Sequence, residues 1–320
     1  MNEAIYLDFE QPLKEIDDKI LALQAHADAE NLAMPDEIQA LRSRRENLER
    51  EIFGNLTRWQ KYQLARHPQR PYSLDYISRC LTDFVELRGD RFFGDDQAIV
   101  GGLAKLAGEP IVVIGQQKGR NTKENLQRNF GLPHPEGYRK ALRLMRLAAK
   151  FNRPILTLID TPGAFPGLAS EQRSVSEAIA RNLVEMARLP VPIIVAVIGE
   201  GASGGALGIG VGDRILMLEN AWYSVINPES CSLILWRSRD QKMLAAEAMK
   251  IAAEDLVELK VIDRIVAEPF GGAHRNHKEA AQNLKDAIEE ALREIRKIPV
   301  SQLTRLRVEK FAQMGAWEET

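Results

Sequence analysis

An α/β fold built on parallel strands is the class this sequence predicts, and three observations predict it. Two short, apolar, β-branched runs, residues 154–160 and 191–198, read as strands buried on both faces. Each is preceded by a stretch of helical hydrophobic period, residues 137–150 and 175–189. Each also runs into a glycine-rich segment, residues 161–167 and 199–206. The unit of helix, strand and loop thus occurs twice, which places both loops at the same ends of parallel strands, where α/β sheets bind ligands.

Composition supports a folded body of this size. With 320 residues, 45% of them hydrophobic, the chain can bury a substantial core. A formal net charge of −2 offers no bulk attraction to nucleic acid or an anionic membrane. Cys80 and Cys231 are the only cysteines and form no CxxC pair, which argues against a disulfide framework or a thiolate zinc site and for a reducing compartment. Residues 1–8 show no basic segment followed by an apolar one, and no run approaches the roughly 20 apolar residues of a membrane span. A cytoplasmic location is expected.

Taken in order, residues 12–52 read as a helical hairpin. Leu13, Ile16, Ile20 and Leu23 form one stripe, and Ile38, Leu41, Leu48 and Ile52 a second, with a break at 31–35. Such narrow stripes suit packing on a body or a partner subunit. Residues 59–72 interleave aromatic and basic side chains around Pro68 and Pro71. Nucleic-acid binding is one reading; a helix followed by an extended connector is favoured, because the segment is short and Asp83, Glu86 and Asp90 follow. Residues 74–87 have helical period, and 88–96 form a turn-rich loop. Residues 99–106 and 110–115 flank Ala107-Gly108-Glu109, the pattern of a β-hairpin with a three-residue connection. The basic loop 116–124, with Arg128, either touches an anionic ligand or is solvated. After the second unit, residues 214–218 and 222–229 read as strands. Helices are expected over 241–251, 253–258 and 278–296, with a strand at 263–266, and residues 315–320 carry no signal.

The segment Gly199-Glu200-Gly201-Ala202-Ser203-Gly204-Gly205-Ala206 is expected to turn from strand into helix. Glycines let backbone approach a ligand, and the amides of Gly204 and Gly205 at a helix start can stabilise an anion or a developing oxyanion. The alternative is that these glycines only permit close strand–helix packing. Gly199-x-Gly201-x-x-Gly204 also matches the dinucleotide fingerprint, with Glu219 about 20 residues on, where a ribose-binding acid belongs. Against that reading, Gly208, Gly210 and Gly212 interrupt the following helix, and the turn lies deep in the chain.

Asp160-Thr161-Pro162-Gly163 resembles the magnesium-side motif of GTPases, but Gly205-Ala206 stands where a phosphate loop needs Lys followed by Ser or Thr. Ser203 fits the nucleophile elbow by pattern alone, with no histidine in a triad-like context. His274 and His277 fall in a polar loop and read as surface histidines, and their spacing does not by itself make a metal site. Chemistry by backbone amides is what remains.

The combination of Ile159-Asp160-Thr161-Pro162-Gly163-Ala164-Phe165-Pro166-Gly167, Ile198-Gly199-Glu200-Gly201-Ala202-Ser203-Gly204-Gly205-Ala206-Leu207 and Tyr223-Ser224-Val225-Ile226-Asn227-Pro228-Glu229 resembles the alpha-subunit family of the bacterial acetyl-CoA carboxylase carboxyltransferase. Ala65-Arg66-His67-Pro68-Gln69-Arg70-Pro71-Tyr72, Ala98-Ile99-Val100-Gly101-Gly102, Gln117-Lys118-Gly119-Arg120 and Pro269-Phe270-Gly271-Gly272-Ala273-His274-Arg275-Asn276 resemble it too, so the likeness runs from about Leu7 to the His274 region. It implies a crotonase (ClpP/crotonase-like) ββα spiral core with an N-terminal helical arm. The division it suggests is an arm over 1–40, a CoA-carboxyltransferase C-terminal-type crotonase-fold domain over 41–296, and a tail over 297–320.

The resemblance further implies transfer of a carboxyl group from carboxybiotin, carried on the separate biotin carboxyl carrier protein, to acetyl-CoA, giving malonyl-CoA for fatty acid synthesis. It implies a beta subunit in an α2β2 assembly that brings most of the CoA site and a zinc ribbon. Biotin carboxylase is a further partner; no metal is expected on this chain, and neither membrane nor nucleic acid. By position, Gly204 and Gly205 would supply the backbone amides of an oxyanion hole for carboxybiotin, with Gly163, Ala164, Pro228 and Glu229 around the same cavity. Two other classes stay open, a Rossmann-type dehydrogenase and a noncatalytic crotonase-like scaffold. A requirement for a beta partner separates carboxyltransferase from dehydrogenase, and retained activity with a bulky residue at Gly205 favours the scaffold.

Overall fold

The computed structural model describes residues 5–30 and 35–315. Its strands, β1 Thr82–Glu86, β2 Ile99–Leu106, β3 Glu109–Gln116, β4 Ile155–Thr161, β5 Ile193–Ala202, β6 Arg214–Leu218, β7 Trp222–Ser224 and β8 Arg264–Val266, join in one sheet. The order is β1-β2-β3-β4-β5-β6-β8, with β7 paired to β5 off that path. The first three strands are antiparallel, and β3 through β6 and β8 are parallel. β4 and β5 are buried at every position, as their unbroken apolar runs require. Helices Pro135–Lys150 and Val175–Arg188 precede them, so the repeated unit has the expected form and both loops leave the same edge.

Several elements depart from the sequence reading for identifiable reasons. The hairpin connection is two residues, Ala107 at φ +48° and Gly108 at φ +84°, because Glu109 already pairs with Leu106. Over 74–87 the helix Ser73–Cys80 stops at extended Leu81, and β1 follows, an edge strand rich in β-branched and aromatic residues in which Thr82, Val85 and Glu86 pair with β2. Of residues 222–229 only the first three are strand. Asn227 then accepts the Ser230 N–H at 2.7 Å, and Pro228 opens the helix Pro228–Trp236, an Asn-Pro start signal that outweighs the apolar run before it.

The arm comprises helices Gln11–Glu30 and Pro35–Gly54, so a division after residue 40 cuts the second helix and the hairpin runs on to Gly54. Leu13, Ile16 and Ile20 are buried. Phe53 meets Phe9 and Phe270 edge-on at 6.1 and 6.0 Å, and Arg275 pairs with Glu10 at 2.7 Å. The break expected at 31–35 lies, over 31–34, outside the described residues, as do residues 1–4 and 316–320.

Within the segment treated as a tail, helix Val300–Ala312 belongs to the body. The buried Arg307 guanidinium donates to both Asp213 oxygens at 2.9 and 2.8 Å and to the carbonyls of Met186, Leu189 and Val191 at 2.6–2.9 Å. All five of its N–H donors are thereby used. Among the described residues no helix is long and apolar enough to cross a membrane.

One irregularity positions the site. Ile159 faces Val197, but Thr161 faces Gly201, so β5 carries extra residues opposite Asp160. Beyond that bulge β5 leaves β6 and pairs Glu200, Gly201 and Ala202 with β7. The expected turn at 199–202 is therefore strand, and the chain turns at Ser203, φ +56°, into the five-residue helix Ser203–Leu207.

Candidate active site

The loop after β4 is set by its own hydrogen bonds. Thr161 Oγ1 lies 2.6 Å from the Gly131 carbonyl and 2.7 Å from that of Gly163, and it accepts the Gly163 N–H at 3.1 Å. Gly163 has φ +147°, a conformation that excludes a side chain. The turn after β5 packs directly on this loop. A Cβ on Gly205 would lie 2.4 Å from the Gly163 carbonyl carbon and 2.5 Å from the Ala164 nitrogen. Gly204 is different: a Cβ there would meet nothing nearer than Ile179 at 3.8 Å. Gly205 is thus a packing glycine, and Gly204 opens onto space.

That space is a cleft of about 540 Å³, lined by Gly163, Ala164, Ser203, Gly204 and Gly205 together with Ile179, Asn227 and Ser230. Pro228 and Glu229 are not among its lining residues. Pro228 is buried, and the Glu229 carboxylate accepts the Tyr62 hydroxyl at 2.7 Å and Arg66 at 3.1 Å. The same helix start contributes Asn227 and Ser230 instead, which the Asn-Pro capping signal would have indicated. A second, apolar cavity of about 380 Å³ adjoins the first at Ser203, Gly204 and Val225. It is lined by Tyr223, Met249, Phe311 and Met314, the last two from the segment expected to be a tail.

Behind the cleft, side chains hold the turn. The Gly205 carbonyl accepts from Gln116 Nε2 at 2.7 Å and from the Tyr138 hydroxyl at 3.0 Å. Asn182 Nδ2 donates to the Tyr138 and Gly208 carbonyls at 3.0 and 2.8 Å. Lys118 Nζ sits 2.6 Å from Asp160 and 2.7 Å from Glu200. Burial works against the Lys118 charge, but the two carboxylates outweigh it and raise the ammonium pKa above the ordinary lysine range.

The other motifs resolve into structure. Gly199 faces the Asp160 carboxylate and Gly201 the Tyr223 ring, both within a strand, and Glu219 accepts the Glu268 N–H at 3.1 Å, so no dinucleotide turn exists. Ser203 is exposed in the cleft, and no histidine is among the described residues that line it. His134 meets Ser170 Oγ at 2.7 Å, and His277 meets the Gln69 carbonyl at 2.7 Å. His274 is not a surface histidine. It is half-buried and stacks on His67 at 3.9 Å, and burial together with that neighbour pushes its pKa down to about 2. Within 59–72, Trp59 and Tyr62 are buried on helix Arg58–Ala65, the connector reading. The basic loop is tied inward: Arg120 lies 3.9 Å over the Tyr72 ring, and Arg128 donates to the Gln97 carbonyl at 2.8 Å.

Chemically, the cleft offers backbone amides and neutral polar groups with one carboxylate, Glu171, on its lining. A five-residue helix contributes little macrodipole, so the amides at its start carry any anion stabilisation themselves.

Comparison with known proteins follows the same direction. A family model described as acetyl co-enzyme A carboxylase carboxyltransferase-like matches residues 6–315. The acetyl-coenzyme A carboxylase carboxyl transferase subunit alpha of Chlorobium luteolum is 55% identical, covering 100% of this chain and 99% of the relative. The protein of the same name from Geobacter metallireducens is 55% identical with 100% of both covered. Among solved structures, a Pseudomonas malonate decarboxylase hetero-tetramer in complex with coenzyme A superposes with TM-score 0.60 at 18% identity, over 76% of this chain and 95% of that one. Transcarboxylase 12S superposes with TM-score 0.57 at 16% identity, over 78% of this chain and 43% of that one.

Proposed function

Because the chain belongs to the family of acetyl-CoA carboxylase carboxyltransferase alpha subunits, a carboxyl-transferring enzyme component of crotonase fold, we propose how its cleft serves that reaction. Together with a beta subunit, the chain moves a carboxyl group from carboxybiotin on the biotin carboxyl carrier protein to acetyl-CoA, giving malonyl-CoA for fatty acid synthesis in the cytoplasm. The observation that carries this reading is the backbone seat formed by Gly205 on Gly163 and Ala164, which leaves Gly204 bare toward the cleft.

The compact fused rings of biotin match a cleft of about 540 Å³, and the absence of a Cβ at Gly204 lets the ureido carbonyl oxygen approach the amides. Carboxybiotin supplies the carboxyl group and, once that has left, the base for the acetyl methyl. The Gly204 and Gly205 amides stabilise the negative charge that develops on the ureido oxygen, since fixed N–H dipoles need no reorganisation as charge builds. Gly163 and Ala164, packed against Gly205, form the adjoining wall. Pro228 and Glu229 act at one remove, by fixing the helix start that presents Asn227 and Ser230.

Val225 on the cleft lining is 78% exposed, and on the helix Pro228–Trp236, whose first turn carries the lining residue Ser230, Ile234 is 70% exposed and Leu235 is exposed too. Exposed apolar side chains of this kind support contact with a second subunit, the beta chain of an α2β2 assembly; biotin carboxylase, which would recharge the carrier, is a further partner of the proposed reaction. The test is malonyl-CoA-dependent carboxylation of free biotin by this chain alone, the beta subunit alone and the two mixed. Activity in the mixture only is expected; no activity in a verified stable complex refutes the reading.

A further inference from the structure

One connected set of charges, enclosed at Lys118, Asp160 and Glu200 and reaching the surface at Arg66, joins the roots of the three segments that line the cleft. From Lys118, which contacts Asp160 and Glu200, it passes through Glu200 Oε2 to Arg66 Nε at 3.3 Å. Arg66 then reaches Glu229 at 3.1 Å, and both meet the Tyr62 hydroxyl, at 2.8 and 2.7 Å. Asp160 leads into the Gly163–Ala164 loop, Glu200 into the Ser203–Gly205 turn, and Glu229 stands beside Asn227. None of these ionisable groups lines the cleft.

The set lies where the β4–β5 ladder is interrupted. At the bulge the Glu200 N–H is taken by the Asp160 carboxylate at 3.0 Å instead of by strand backbone. Gln116 accepts the Asp160 N–H at 3.1 Å and donates to the Gly205 carbonyl at 2.7 Å. Between the Ile159–Val197 and Thr161–Gly201 pairs, side chains rather than ladder bonds therefore bridge the two strands, just before their loops begin. Lys118 is the cation between them.

We propose that Lys118 is a positioning residue: its ammonium, held between Asp160 and Glu200 across the β4–β5 bulge, sets the spacing of the two glycine loops and so the aim of the Gly204 and Gly205 amides. The inference rests on the carboxyl-transfer reading of the cleft. Without that cation two buried carboxylates face each other, and either one takes up a proton or the strand ends separate. Both outcomes move the Ser203–Gly205 turn relative to Gly163.

The experiment uses the complex with the beta subunit and malonyl-CoA-dependent carboxylation of free biotin. Lys118→Met is expected to lower kcat by about 10²-fold, the scale of an ångström-sized misplacement, with KM for malonyl-CoA unchanged. Lys118→Arg, which restores the charge, is expected to recover most of the loss. Arg307→Met serves as the control, because it breaks an equally buried ion pair at the far end of β5, where Asp213 takes the Ile193 N–H at 2.7 Å. It is expected to lower Tm while keeping kcat per assembled complex. Wild-type kcat in an assembled Lys118→Met complex overturns the proposal, as does an equal kcat loss in Arg307→Met at matched Tm. If Lys118→Met fails to fold, Glu200→Gln is measured instead, with the same fall in kcat expected and an unchanged kcat overturning the proposal. An inactive wild-type complex refutes the carboxyl-transfer reading itself, and the proposal with it.

Discussion

Gly204 and Gly205 are adjacent and chemically identical, yet an alanine is expected to behave oppositely at the two positions. At Gly205 the new Cβ would stand 2.4 Å from the Gly163 carbonyl carbon and 2.5 Å from the Ala164 nitrogen, both backbone atoms that cannot rotate away. Relieving the overlap to an ordinary van der Waals distance requires the two loops to part by about 1 Å, an overpacking change that costs about 1–3 kcal/mol. The same displacement takes the Gly204 and Gly205 amides off their target, which lowers turnover by about 10²-fold. At Gly204 the Cβ meets Ile179 at 3.8 Å, an ordinary contact, and its backbone is not in the left-handed region. Gly204→Ala therefore keeps Tm within a degree or two of wild type and, by narrowing the cleft, raises KM for biotin more than it lowers kcat. Thermal melting of each variant and biotin carboxylation by each complex with the beta subunit measure both quantities. A Gly205→Ala protein with wild-type Tm and kcat refutes the loop-on-loop seat, and a Gly204→Ala protein that fails to fold refutes the assignment of open space beside it.

Ser203→Ala is expected to retain turnover within a few-fold, because no histidine is among the described residues that line the cleft and the proposed reading gives the turn's work to its amides; a folded, assembled and inactive Ser203→Ala complex contradicts this. Arg307→Met is expected to destabilise the chain by about 3–5 kcal/mol, since it strands the Asp213 carboxylate in the interior; urea unfolding of the variant reads this directly. Acid should loosen the contact between the N-terminal segment and the body. His67 and His274 are held neutral by burial, with folded-state pKa values below the ordinary 6.5, so the unfolded chain binds more protons as pH falls. Their stability contribution is present above about pH 6.5 and is lost progressively below it. A pH series of melting temperatures for wild type and His274→Phe checks it, the variant showing the shallower slope. Finally, Ile234→Asp is expected to leave the isolated chain folded, because that side chain is 70% exposed, and to weaken association with the beta subunit; unchanged association by analytical ultracentrifugation removes Ile234 from the interface.

The repeated helix–strand–loop unit was legible because its signals are local and strong. Buried parallel strands need continuous β-branched runs, and the helices beside β4 and β5 show clear apolar faces. What escaped was set by contacts distant in sequence. Residues 199–202 look like a turn by composition, but Gly199 is small because Asp160 stands 2.5 Å from its would-be Cβ, and Gly201 because the Tyr223 ring does. Local pattern cannot distinguish a glycine that bends the chain from one that makes room. The Arg307 anchor was illegible for the same reason: its partners lie on Asp213, Met186, Leu189 and Val191, far back in the chain. His274 looked like a loop histidine because nothing local announces that His67 stacks on it.

Glu229 is the instructive case for the site itself. Its motif, Asn227-Pro228-Glu229, does mark a cleft-lining segment, yet Asn227 and Ser230 line the cleft while Glu229 turns toward Arg66 and Tyr62. If the Gly205 amide does the work proposed for it, its aim cannot be adjusted by exchanging the residue that bears it, because at Gly205 no side chain fits. Its geometry has to be set from behind, by groups that grip strand ends and helix starts. Gln116 and Tyr138 do this at the Gly205 carbonyl, Lys118 at the β4–β5 bulge, and Glu229 at the helix start. Polar residues in such a motif can therefore mark the frame of a catalytic surface without touching what binds there, and mutations in them should register in kcat before they register in substrate affinity.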